Sequence, residues 1–174
     1  MKLFKGSRPS EADFHEAIAA RSERWYAACL KITHSPELAE DAVQDALLNA
    51  WNKRHQFKYT ARLDTWIHRI AINAAIGLLR KQKPGVFHPL EQEPESPDAN
   101  PEQQRFEEEL GQGLAASLSG LSEMERVCFV LKHLEQWRLK EIAEELDTNV
   151  DGVKQSVFRA VRKLRAAMPE LKSA

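Results

Sequence analysis

Residues Leu139–Arg165 read LKEIAEELDTNVDGVKQSVFRAVRKLR, and the organisation of the chain follows from them. Leu139, Ile142, Ala143 and Leu146 recur at helical spacing and stop at Asp147-Thr148-Asn149. A second apolar seam then runs Val150, Val153, Val157, Val161 and Leu164. Thr148 is placed to cap the new helix, with Asp151 three residues on in a capping-box pattern near the helix's positive end. At about 100° per residue, the face opposite the seam carries Gln155, Arg159 and Arg162, flanked by Lys154, Lys163 and Arg165. A short helix, a tight turn and a longer helix with a basic free side have the form of a helix-turn-helix that enters a major groove. Arginine and glutamine suit base edges there, because their paired donors and acceptors match guanine and adenine. A lone basic amphipathic helix is equally compatible with an ordinary solvated face. The compact helix before it, with Ala143 where close packing is needed, favours DNA.

The chain has 174 residues, 43% hydrophobic and 29% charged, enough for one ordinary domain or two small ones. Its formal net charge of −1 looks wrong for a nucleic-acid binder until the charges are located. Residues 91–109 carry eight acids against one base, Arg105, while the last helix is basic, so segregation is the informative quantity. The same region holds Pro84, Gly85, Pro89, Pro94, Pro97 and Pro101, which reads as a flexible, extended tether over 84–105. Beyond it Phe106, Leu110, Leu114 and Leu118 recur at helical spacing, weakened by Gly111 and Gly113. Ser122 with Glu125 opens a helix expected to turn Val127, Val130, Leu131 and Leu134 inward.

Upstream, Ser10 with Asp13 starts a helix running toward Thr33. Ser35-Pro36 is a cap followed by proline at the first helical position, and that helix reaches about Arg54. A third helix spans about Asp64 to Lys81 and is expected to bury Leu63, Ile67, Ile70, Ala74 and Leu78. Strand patterns are almost missing. The reading is all-α, two small helical lobes on an acidic, proline-rich linker.

Two further surfaces stand out. In the second helix Ala39, Val43, Ala46, Leu47 and Ala50 face inward, leaving Asp41, Gln44, Asp45 and Leu48 outside. A leucine ringed by acids suits docking of a basic helical partner, although a plain acidic surface reads the same way. Around the third helix Arg62, Arg69, Asn73, Arg80, Lys81 and Lys83 lie beside Phe57, Tyr59 and Trp66. Cationic tracks with flat side chains suit unstacked single-stranded bases, whereas Phe57 and Trp66 also read as core residues. Catalytic constellations are missing: six histidines are scattered, with no glycine-rich phosphate loop or nucleophile elbow. Cys29 and Cys128 lack metal-ligand partners and read as buried thiols. No run is long and apolar enough to span a membrane, and the start lacks a signal-peptide core, so a cytoplasmic protein without metal or cofactor is expected.

Taken together the lobes resemble the extracytoplasmic-function class of bacterial RNA polymerase sigma factors. AEDAVQDALLNAW (Ala39–Trp51) and TWIHRIAIN (Thr65–Asn73), preceded by Phe57, resemble two motifs of that family's region 2. LSEMERVCFVLKHLEQWRLKEIAEEL and VDGVKQSVFRAVRKLR are similar to its region 4 helix-turn-helix. The resemblance implies a region 2-like domain over 1–83, the linker over 84–105 and a region 4-like domain over 106–174. Asp41, Gln44, Asp45 and Leu48 would dock on the β′ clamp helices of core RNA polymerase, and the second domain on the β flap. Phe57, Tyr59, Arg62, Trp66, Arg69, Asn73 and Arg80 would read and open the −10 element, with one base flipped from the stack. Asn149, Lys154, Gln155, Ser156, Arg159, Arg162 and Lys163 would read the −35 element. Promoter DNA is the implied ligand, and an anti-sigma protein is one of several controls the family uses. Asp147 stands where a turn glycine is usual, Gly152 where threonine is common, and Tyr59 and Arg62 replace small residues. A one-component regulator with a sensory or dimerising first lobe, and a helical adaptor, are the competing readings.

Overall fold

The computed structural model describes residues 8–87 and 112–167, and every described element is helical. Three helices build the first lobe: α1 (Glu11–Thr33), α2 (Pro36–Asn52) and α3 (Leu63–Gln82). The expected starts hold. Ser10 and Asp13 form a reciprocal capping box, and Ser35 caps α2 ahead of Pro36. Ala39, Ala42, Ala46 and Ala50 are fully buried, so α2 lies close against its neighbours without large side chains between. Trp25 is buried and donates its indole N–H to the carbonyl of Asp64 at 3.2 Å, tying α1 to the start of α3.

On α3 the expected stripe is rotated. Ile67, Ala71, Ile72, Ala75, Ile76 and Leu79 are the buried apolar residues, while Leu63, Ile70, Ala74 and Leu78 are only partly covered. A two-sided burial explains the difference: α3 packs on α1 and α2 and is also approached by the second lobe. Residues 84–87, read from the sequence as tether, belong to the packed first lobe: Val86 packs against the core and Phe87 is buried, with Gly85 at φ 78 turning the chain there. The acidic run, Phe106 and Leu110 lie outside the described residues.

The second lobe comprises α4 (Gln112–Ser119), α5 (Glu123–Phe129), α6 (Leu139–Glu145) and α7 (Val150–Ala167). Ser122 and Glu125 close the expected capping box. After α5 the helix widens over Val130–Leu134, where Glu135 N–H reaches the Val130 carbonyl at 3.0 Å. That wide turn leaves Leu134 exposed, contrary to the inward position expected, and brings Trp137 into the core. Between α6 and α7, Asp147 adopts φ 53, so aspartate does fill the left-handed place of the usual glycine. The cap of α7 is Asn149 rather than Thr148: its Oδ1 accepts the Gly152 N–H at 2.7 Å.

One hydrophobic core runs through both lobes, from Trp25, Ile72 and Ile76 to Val127, Leu131, Trp137 and Ile142. At the seam Arg126 is 1% exposed and donates Nε and Nη2 to the Ile32 carbonyl at 3.2 and 2.8 Å. Burial pushes the Cys29 and Cys128 thiols up to about 12, so both remain protonated structural thiols at neutral pH.

Candidate nucleic-acid and docking interfaces

The four residues expected to dock a partner share the solvent side of α2, as the spacing implied. Asp41, Gln44, Asp45 and Leu48 are all exposed, and Leu48 leaves 65% of its surface in solvent. Trp51 extends this face at the end of α2, where its ring meets Phe14 edge-on at 5.2 Å and carries the Arg54 guanidinium at 4.0 Å. The sequence reading missed the Trp51–Arg54 pair; an aromatic at helix spacing from Leu48 was its only signal.

The single-strand candidates gather on and before α3. Phe57 is buried rather than open to a ligand, its ring 4.6 Å from Tyr59 and 5.2 Å from Trp66. Tyr59 is exposed at φ 55, a strained conformation for a bulky residue. Phe57, Tyr59, Arg62 and Leu63 line a cavity of about 250 Å³, closed on its other side by Asp13 and Glu16 of α1. Arg62 reaches Asp64 at 3.2 Å, Trp66 is half-buried, and Asn73 is exposed. Arg69 and Arg80 are engaged by the second lobe: Arg69 pairs with Glu141 at 3.0 Å, and Arg80 donates to the Glu145 carbonyl at 2.7 Å.

On α7 the outer face carries Lys154, Gln155, Phe158, Arg159 and Arg162, with Asn149 exposed at the cap. Two expected members do not belong to it. Ser156 is 6% exposed and faces Cys128, where it hydrogen-bonds the thiol and opposes the rise that burial imposes on it. Lys163 holds Glu125 at 2.8 Å. The physical reason is the buried stripe, which runs Val153, Ser156, Ala160 and Leu164, because small residues there admit α5 more closely than Val157 and Val161 would. The residue overlooked is Phe158, 68% exposed between Lys154 and Arg162. Its signal was available: an aromatic off the apolar seam, four residues from a base on either side.

Among the described residues no group of three or more His, Cys, Asp or Glu could hold a metal ion, and no helix is long and apolar enough to cross a membrane. A family model described as Sigma-70 region 2 matches residues 18–84, and one described as Sigma-70, region 4 matches residues 112–164. The two regions cover both lobes, in the order of a sigma-70-type protein. The ECF RNA polymerase sigma-E factor of Escherichia coli K12 is 32% identical over 130 residues, 69% of this chain and 68% of that one. SigW of Bacillus subtilis strain 168, also an ECF sigma factor, is 26% identical over 181 residues, 98% of this chain and 97% of its own. For SigG of Mycobacterium tuberculosis H37Rv, 29% identical, the match takes in 94% of this chain but only 52% of the relative. The chain belongs to the extracytoplasmic-function sigma factors. The fold agrees: the sigma factor RpoE of Bartonella quintana, solved in complex with the anti-sigma factor NepR, matches with a TM-score of 0.56 at 21% identity. That match covers 90% of this chain and 97% of the other.

Proposed function

We propose that this protein directs core RNA polymerase to a two-part promoter and helps melt it, acting as a subunit and not as an enzyme. The observation that carries the reading is the presence of three separate faces on one helical scaffold, those of α2 and α7 open and that of α3 partly covered by the second lobe, each with the chemistry of its step. Asp41, Gln44, Asp45 and Leu48 offer an acidic surface with an apolar centre to a basic helical partner, the β′ clamp helices. Tyr59 and Arg62 border, with Phe57, a cavity suited to a base turned out of the stack, and Trp66 and the exposed Asn73 lie further along α3. Arg69 and Arg80 join them once the second lobe is displaced. The outer face of α7 presents Arg159 and Gln155 to −35 base edges, with Phe158 placed for a thymine methyl and Lys154 and Arg162 for phosphates. Residues 1–83 then serve polymerase and the −10 element, residues 106–174 the −35 element and the β flap, and 84–105 join them. An anti-sigma protein is a candidate third partner, and the cytoplasm is the compartment in which the polymerase is met.

The decisive experiment is transcription in vitro from a fragmented genomic library by core polymerase with and without the purified chain, with start sites mapped. New start sites sharing two spaced elements are expected. A chain that redirects the polymerase to no site is not a sigma factor, and duplex binding without polymerase would instead favour a one-component regulator.

A further inference from the structure

The cavity beside Tyr59 has one wall of unusual chemistry for a surface that meets a phosphate chain. Asp13, Glu16 and Ala20 fall on one face of α1 at helical spacing and line it across from Tyr59 and Arg62. The two acids are not equivalent. Asp13 is committed to the helix start, its Oδ2 accepting the Ser10 N–H at 2.7 Å and the Ser10 hydroxyl at 2.9 Å. Glu16 is exposed and makes no hydrogen bond or ion pair among the described residues. On the other wall Arg62 is held by Asp64 at 3.2 Å, with 73% of its side chain in solvent. A carboxylate here repels the phosphates of a strand, so it weakens binding unless a base donates to it.

We propose that Glu16 reads the turned-out base, selecting one that carries an exocyclic amine and rejecting thymine. The proposal rests on reading this cavity as the −10 base site. Cytosine N4, adenine N6 and guanine N2 each bear N–H groups that a carboxylate accepts. Thymine has a single ring N–H between the O2 and O4 carbonyls, so a carboxylate brought to it meets oxygen on both sides. Arg62 has donors only, and every base offers it acceptors, so the guanidinium binds without choosing. Size does not choose either. The cavity holds about 250 Å³, and Ala17, Ala20 and Ala61 on its lining leave it open to purine and pyrimidine alike. Discrimination falls to the acid, a residue of α1 outside the loop and the helix that hold the other −10 candidates.

The test uses a promoter found by the transcription experiment above. Holoenzyme is bound to a premelted template whose non-template strand is randomised across the −10 element, and the retained strands are sequenced. With the wild-type chain one position should be depleted of thymine, roughly tenfold against the favoured base, the effect of one hydrogen bond to a charged acceptor. Glu16→Ala should restore thymine at that position and leave selection elsewhere unchanged. Because Glu16 is exposed and outside the cap of α1, the variant keeps its fold. A second measurement removes the amine from the DNA instead, with inosine for guanine, purine for adenine or 2-pyrimidinone for cytosine. Wild-type affinity should fall by the same factor, and that of the variant should not move. Identical selected pools, equal losses in the two proteins, or a wild-type preference for thymine overturn the role of Glu16. So does a variant that binds strands with all four bases more tightly by one common factor, since the acid then only repels phosphate. A wild-type pool with no selected position is a different failure, and it refutes the −10 base site itself.

Discussion

Arg126 is the side chain whose removal should cost most outside the aliphatic core. Its guanidinium donates twice to the Ile32 carbonyl and pairs with Glu123. Ile32 sits in the last turn of α1, where carbonyls have no intrahelical partner and a cation complements the helix dipole. Burial favours the neutral form of Glu123, but Arg126 and then Lys83 outweigh it and hold the carboxyl below its usual range. Arg126→Ala leaves a buried carbonyl without a donor, about 1–3 kcal/mol, and a carboxylate with Lys83 alone. Removing one partner of a buried pair costs about 3–5 kcal/mol in total. For a chain of this length that is a fall in Tm of roughly 6–20 °C, at about 2–4 °C per kcal/mol. Arg126→Lys keeps the charge but loses the fork and should fall between the two. Calorimetry checks the size, and it should show the single transition of docked lobes broadening or splitting, because Arg126 and Ile32 stand on opposite sides of the seam. An Arg126→Ala protein melting within about 2 °C of wild type would mean that the seam is held by something else.

Leu48→Ala should weaken polymerase binding by roughly 5–30-fold, the equivalent of about 1–2 kcal/mol of leucine surface no longer covered, with Tm unchanged. Equal affinity in a pull-down titration counts against the α2 face. Replacing −35 thymines one at a time by uracil removes only a methyl, worth about 0.8 kcal/mol, so holoenzyme affinity should drop about fourfold at one position. Phe158→Ala should be indifferent to that change, and a drop of the same size in the variant rules the phenylalanine out as its reader. In acid the molecule should loosen. Glu141 is held low first by the Arg138 backbone N–H and then by Arg69, and Glu123 is low as well. Carboxyls lowered on folding stabilise above the ordinary glutamate value of 4.5 and lose that contribution as pH falls through their lowered values. Glu145, raised by burial against the pull of Arg80, acts in the opposite sense and softens the effect. A urea midpoint that stays level from pH 7 to pH 3 contradicts this.

Helix starts were legible because they are local. Ser10 with Asp13, Ser35 with Pro36 and Ser122 with Glu125 each decide their own backbone within three residues. The face of α2 was legible for a related reason, since alanines on one side and acids with one leucine on the other leave a single way to orient the helix. Errors came where a distant element chose the outcome. Apolar weight pointed to Val157 and Val161 as the inner side of α7, yet smallness at Ser156 and Ala160 set how near α5 could come. Thr148 and Asn149 both suit a cap, and only the turn geometry at Asp147 selects between them. The wide turn at Val130–Leu134 leaves no mark in helical spacing, and it is what sends Leu134 out and Trp137 in.

The union of the lobes was the least legible feature. Arg69 and Glu141 are 72 residues apart, and Arg126 and the Ile32 carbonyl are 94 apart, so no local pattern joins them. A seam that buries an arginine and most of a tryptophan is set by tertiary packing, which no periodicity within either lobe announces.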